Sequence, residues 1–82
     1  HQAGDEVLRA FAQLLRRSVR EIDWVARFGG DEFVVVLPAA SHAGALDVAE
    51  KLRRATESLV VPFGGDAIRM TASFGVASIE PD

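Results

Sequence analysis

RFGGDEFVVVL, residues Arg27 to Leu37, sets two glycines and two acids in front of five consecutive apolar residues. A glycine pair leading into such a run reads as a turn entering a strand. On its other side Trp24 to Phe28 is rich in aromatic and β-branched residues, so the two runs are expected to form a hairpin. Phe33 to Leu37 does not alternate, which predicts a strand covered on both faces and central in its sheet. The tetrapeptide Phe-Gly-Gly-Asp recurs at Phe63 to Asp66, where Ala67 stands in place of the second acid. Acidic glycine turns are common at hairpin tips, and this second copy is read as purely structural.

Outward from the hairpin, Val7, Leu8, Phe11, Leu14, Leu15 and Val19 recur at spacings of three and four, the mark of a helix from about Asp5 to Val19 with one apolar stripe. Asp5 and Glu6 at its start and Arg16, Arg17 and Arg20 toward its end suit the helix dipole. After Pro38, Ser41 is a candidate N-cap for a second helix whose inward stripe is Ala45, Val48, Ala49, Leu52, Ala55 and Leu59. Val60 to Phe63 and Ile68 to Ala77 read as a second hairpin, its second arm alternating apolar residues with polar or small ones. The order is α-β-β-α-β-β in one α+β domain over residues 1–82, with no linker and no low-complexity segment.

At 82 residues, 49% hydrophobic and 26% charged, the chain has the composition of an ordinary globular domain. A chain this short buries only a little over ~60% of its unfolded surface, so its core is marginal. The absence of cysteine excludes disulfides and thiolate metal sites. A net charge of −3 argues against DNA or RNA as a partner. The longest strongly apolar stretch, Phe33 to Ala40, falls far short of the ~20 residues that cross a bilayer, and no signal peptide is recognisable. The abrupt ends at His1 and Asp82 look like cuts within something larger.

A Gly-Gly turn lets backbone N–H groups approach phosphate oxygens closely, and consecutive glycines also permit positive φ. A carboxylate beside phosphate would repel it unless a divalent cation lies between them. Asp31 and Glu32 offer hard oxygen ligands of the kind Mg²⁺ shares with substrate phosphates, and such a metal can activate a hydroxyl. Other residues are read more plainly: His42 as a solvent-exposed histidine, Trp24 and Met70 as core or half-buried strand residues, Arg53 and Arg54 as a solvated helix face.

RFGGDEF, with the opening HQAGD and the later Thr71-Ala72-Ser73-Phe74-Gly75-Val76-Ala77, closely resembles the diguanylate cyclase, or GGDEF, domain. The resemblance spans the whole chain and implies a ferredoxin-like, nucleotide-cyclase-like antiparallel sheet with helices. It implies condensation of two GTP molecules into cyclic di-GMP by two domains meeting face to face as a homodimer. Gly29 and Gly30 would cradle the phosphates. Asp31 and Glu32 would be the catalytic acids and would bind Mg²⁺ or Mn²⁺, and Asp5 would contact the guanine edge. Whether the metal or an acid activates the attacking 3′-hydroxyl stays open. Arg20-Glu21-Ile22-Asp23, with five residues between it and Gly29, is similar to the family's product-inhibition motif. There Arg20 would grip phosphate and guanine, and Asp23 would accept guanine N–H groups.

Against the family pattern, the chain begins after a first, central strand that carries a further metal-binding aspartate, and ends before a helical segment with cationic triphosphate ligands. The resemblance places the missing strand between Phe33–Leu37 and Ile68–Ala77. Those two strands are therefore expected to close up directly, or to have the gap filled by another chain. GTP condensation by the 82 residues alone is expected to be weak or absent. Two further readings are a cyclic di-GMP sensor using Arg20 and Asp23, and a structural dimerisation segment. Cytoplasmic placement is expected from where GTP is found and from the lack of export signals.

Overall fold

The computed structural model describes residues 2–79. Its elements are α1 (Gln2–Ser18), β1 (Trp24–Arg27), β2 (Phe33–Val36), α2 (His42–Glu57), β3 (Val60–Phe63) and β4 (Asp66–Arg69), an α+β arrangement in the expected order. α1 starts three residues before the expected Asp5, adding most of a turn ahead of the acidic first-turn residue. The start of α2 follows from chemistry: Ser41 has an extended backbone, and its Oγ accepts the Gly44 N–H at 3.0 Å, satisfying one of the helix's free donors.

The two helical stripes meet at the core. Phe11, Leu14 and Leu15 from α1 and Leu52 from α2 are buried, with Leu15 only 1% exposed. Each such side chain contributes roughly 1.5–3 kcal/mol through burial. Thr56, a buried polar residue, donates its hydroxyl to the Leu52 carbonyl at 2.7 Å, which offsets the cost of taking it into the core. Phe33 and Val35 descend from β2 onto this cluster, and the Phe33 ring meets Phe11 edge-on with centroids 5.2 Å apart.

The sheet departs from expectation in three ways. The second arm of the second hairpin is β4 at Asp66–Arg69, not a strand from Ile68 to Ala77, because β3 offers only four residues to pair with. Beyond Arg69 the side chains still alternate: Met70, Ala72, Phe74 and Val76 are half-buried, whereas Thr71, Ser73, Gly75 and Ala77 are exposed. This segment lies extended over the helices, yet its backbone joins no ladder.

Nor do the two hairpins close up. They form separate two-stranded sheets, β1-β2 and β3-β4. Phe33 and Val35 on one side and Met70, Ala72 and Phe74 on the other are all docked on the same apolar cluster, and direct pairing would draw both off it. The radius of gyration, 13.8 Å, exceeds the ~12 Å of a compact chain of this length, in keeping with an open sheet.

Finally, β2 is neither central nor covered on both faces. Val34 and Val36 are exposed, as is Trp24, which pairs with Val36 across the ladder and is 69% accessible rather than core or half-buried. Among the described residues no element covers that face, so the apolar run marks two apolar faces of which one is packed.

Amide hydrogen exchange should separate these regions. Protection is expected in α1, α2 and the β1-β2 ladder, with rapid exchange from residue 71 to 77; protection there equal to that of β2 would mean the segment is paired. Leu52→Ala should lower unfolding free energy by about 2–5 kcal/mol in urea melts.

Candidate functional site

The two Phe-Gly-Gly-Asp copies fold into different turns. At Gly64-Gly65 both residues have positive φ, 59° and 86°, and form a tight two-residue turn with Phe63 paired to Asp66. At the first copy the ladder ends on Arg27 paired with Phe33, leaving a five-residue loop, 28–32, in which the Phe28 N–H donates to the Glu32 carbonyl at 2.8 Å. Gly29 and Gly30 do not have positive φ there, so the conformational reason for glycine falls away. A Cβ on Gly29 would lie 2.6 Å from Glu32 Oε1, the far end of an exposed side chain that folds back over that residue and is free to turn aside. A Cβ on Gly30 would meet nothing within 4 Å, so that backbone is open to a ligand.

Arg27, which sequence reasoning left unassigned, organises this loop. Its Nε donates to the Gly29 carbonyl at 3.1 Å and its Nη2 to the Gly30 carbonyl. The guanidinium carbon stands 6.0 Å from the centroid of the Phe33 ring. The signal was present in the sequence as an arginine directly before the turn, but its pairing with the glycine carbonyls depends on the loop conformation.

Asp31 and Glu32 are both exposed. Asp31 borders an open groove of about 370 Å³ with Ala3, Gly4, Val7 and Leu8 of α1 and Ile68 of β4. Asp5 lies instead in a neighbouring groove of about 290 Å³ with Arg9, Arg16, Arg27 and Phe33. Leu8 borders both. The α1 N-terminal half thus faces the hairpin tip on two sides, and Arg9 and Arg16 bring positive charge that sequence reading did not single out. Their spacing from Asp5, four and eleven residues along the helix, was the available clue. Among the described residues no three histidine or acidic side chains converge, and Asp31 and Glu32 are two exposed hard-oxygen donors adjacent in sequence. His1 lies outside the described residues.

Arg20 and Asp23 sit at the other end of β1, with Asp23 roughly 16 Å along the chain from the start of the loop at the ~3.3 Å rise of a strand. They form a closed unit: the Arg20 N–H donates to Asp23 Oδ2 at 2.8 Å, and the guanidinium reaches both carboxylate oxygens at 3.3 Å. The Asp23 side chain is 3% exposed and the Arg20 side chain 57%. Desolvation works against the Asp23 charge, but the side-chain and backbone hydrogen bonds from Arg20, with its positive charge, outweigh it and hold the carboxyl below its ordinary value. His42 is exposed, as expected, with Nδ1 2.5 Å from Ser78 Oγ. Arg53 and Arg54 pair with Glu50, and Arg53 also with Glu57, on the solvent side of α2.

Residues 1–82 match the family described as diguanylate cyclase, GGDEF domain. The chain is 42% identical over 80 residues to diguanylate cyclase DgcP of Pseudomonas aeruginosa, covering 98% of this chain and 12% of that protein. It is 39% identical over 82 residues to diguanylate cyclase A of Treponema denticola, covering 100% of this chain and 22% of that protein. It is 42% identical over 80 residues to the response regulator PleD of Caulobacter vibrioides, covering 95% of this chain and 18% of that protein. The chain thus spans about an eighth to a fifth of the length of these relatives. No helix among the described residues is long and apolar enough to cross a membrane.

The contrast between the glycine pairs is measurable. Gly64→Ala should cost about 1–2 kcal/mol for forcing a left-handed backbone, whereas Gly30→Ala should leave the melting temperature unchanged or slightly raised. Asp23→Asn should lower the urea midpoint at neutral pH. Because the folded pKa is depressed, that stabilisation is present above the ordinary value of 3.8 and lost as the pH falls through the lower folded value. The gap between wild type and variant should narrow below pH 3.8; a gap constant from pH 7 to pH 2 would show the pair is not its source.

Proposed function

Because the chain belongs to the diguanylate cyclase, GGDEF-domain family, we propose that the protein carrying it condenses two GTP molecules into cyclic di-GMP, with Mg²⁺ or Mn²⁺ held by Asp31 and Glu32. The observation that carries this reading is the loop at 28–32, where two exposed carboxylates stand beside an unobstructed Gly30 backbone. Backbone donors serve the triphosphate, and the acids serve the cation that offsets its charge. A metal held there would neutralise phosphate oxygens, and either it or one of the two acids would activate the attacking hydroxyl. Asp5, in the groove beside the loop, accepts from the guanine edge. A single chain presents one GTP, so the reaction calls for a second copy facing it, and the product is symmetric for that reason.

Arg20 and Asp23 form the product-inhibition site in this proposal. The preformed pairing favours it: the mostly exposed guanidinium is already oriented by the buried carboxylate, and little side-chain freedom remains to be lost on binding. The same observation supports a second reading in which the segment senses cyclic di-GMP without catalysis. Two intact acids in the loop favour the cyclase, since a receptor has no chemical need for both. The 82 residues by themselves are proposed to turn over GTP weakly or not at all, given the open sheet and a two-carboxylate cation site.

Calorimetry on the full-length protein tests the choice. The cyclase reading expects GTP binding that requires magnesium and is lost in Asp31→Ala. GTP affinity indifferent to both magnesium and that substitution would overturn it. Cyclic di-GMP binding that persists without metal and vanishes in Arg20→Ala, in a protein with no GTP binding, would establish the sensor instead.

A further inference from the structure

We propose that Arg27 is a positioning residue for the phosphate-binding backbone: its guanidinium clamps the carbonyls of Gly29 and Gly30 so that the N–H groups of Gly30 and Asp31 face the opposite way, toward the triphosphate. This inference rests on the cyclase reading and adds to it the element that orients the donors.

The geometry follows from the peptide group. In a planar trans peptide the carbonyl of one residue and the N–H of the next point in opposite directions. Two consecutive carbonyls, those of Gly29 and Gly30, are drawn to one guanidinium. The N–H groups of the same two peptide units, belonging to Gly30 and Asp31, are thereby turned away from it. Among the described residues neither N–H has a protein acceptor, whereas the preceding amides of Phe28 and Gly29 are both spent on the Glu32 carbonyl. Two adjacent unpaired amides turned the same way on an open glycine backbone are a pair of donors available to anionic oxygens.

Only arginine suits this role. Its planar fork presents separate donors at fixed spacing, and here Nε serves one carbonyl and Nη2 the next. Lysine offers one compact charge that cannot fix two peptide planes in the same way. The guanidinium is held in turn by Phe33, whose ring it faces, and Phe33 is seated edge-on against Phe11 of α1. An unbroken line of contacts therefore runs from the core to the loop amides. Without the clamp, either glycine peptide is free to rotate and present a carbonyl oxygen to the phosphates, which repels them.

The test uses the full-length protein with Arg27→Lys, Arg27→Met and Asp31→Ala, titrated with magnesium GTP and with guanosine. Arg27→Met is expected to weaken GTP binding about tenfold and guanosine binding less than twofold, with an unchanged melting temperature. Arg27→Lys, which keeps the charge and loses the fork, is expected to recover no more than a small part. In ¹⁵N-labelled protein, the Gly30 and Asp31 amide resonances should move when magnesium tripolyphosphate is added to wild type and stay still in Arg27→Met. Full GTP affinity in Arg27→Lys would assign the effect to charge and overturn the proposal, as would equal losses of GTP and guanosine or unmoved amides in wild type. If Asp31→Ala abolishes GTP binding while Arg27→Met keeps it, the clamp alone is wrong. If neither substitution matters, the cyclase reading itself fails.

Discussion

The edge-to-face contact between Phe11 and Phe33 fixes the relation on which the candidate site depends. Phe11 belongs to the buried face of α1, and Phe33 is the first residue of β2, immediately after the two acids. Seating that ring therefore sets where Asp31 and Glu32 stand relative to the first turns of α1, where Asp5 resides. A hairpin of two four-residue strands has little independent stability, and its register would be weakly held without such an anchor. Phe33 thus has a packing role that the four exposed or half-buried residues before it do not share.

The repeated tetrapeptide shows how far local sequence determines local structure. Phe-Gly-Gly-Asp closes a two-residue turn with left-handed glycines at 63–66 and opens a wider loop without them at 28–32. What differs is the context: Arg27 and Phe33 pair at the end of one ladder, and the Arg27 side chain has the glycine carbonyls as partners. Reading glycine as a licence for unusual backbone angles was correct in the copy without a proposed role. In the other copy neither glycine has a positive φ, and only Gly30 stands in open space, a property that appears only when the surroundings of each missing Cβ are known.

Much of the fold was legible because periodicity is a direct record of burial. The stripe through Phe11, Leu14 and Leu15, the Ser41 cap and both hairpins all follow from spacing and turn chemistry. Spacing does not say what covers a face or pairs with an edge. Trp24, Val34 and Val36 were apolar strand residues and so read as covered, yet they are bare. The alternation from Met70 to Val76 named the inward face correctly and gave no sign that the backbone lacked a ladder. The two acids of the loop, and Arg20 with Asp23, stand out in the sequence by type and spacing, but the ion pair that joins Arg20 to Asp23 does not. The clamp by Arg27 does not either, because carbonyl acceptors carry no mark in the sequence.

The exposed indole has a practical meaning. Trp24 is the chain's single tryptophan, adjoins Asp23, and begins the strand that leads to Arg27. With 69% of its surface open to solvent, its emission should be red-shifted and readily quenched. Anything that settles on that sheet face, or that disturbs the turn holding Arg20 and Asp23, would change its colour and intensity. The molecule therefore contains an intrinsic optical reporter between the Arg20–Asp23 turn and the 28–32 loop, one that needs no dye and no added label.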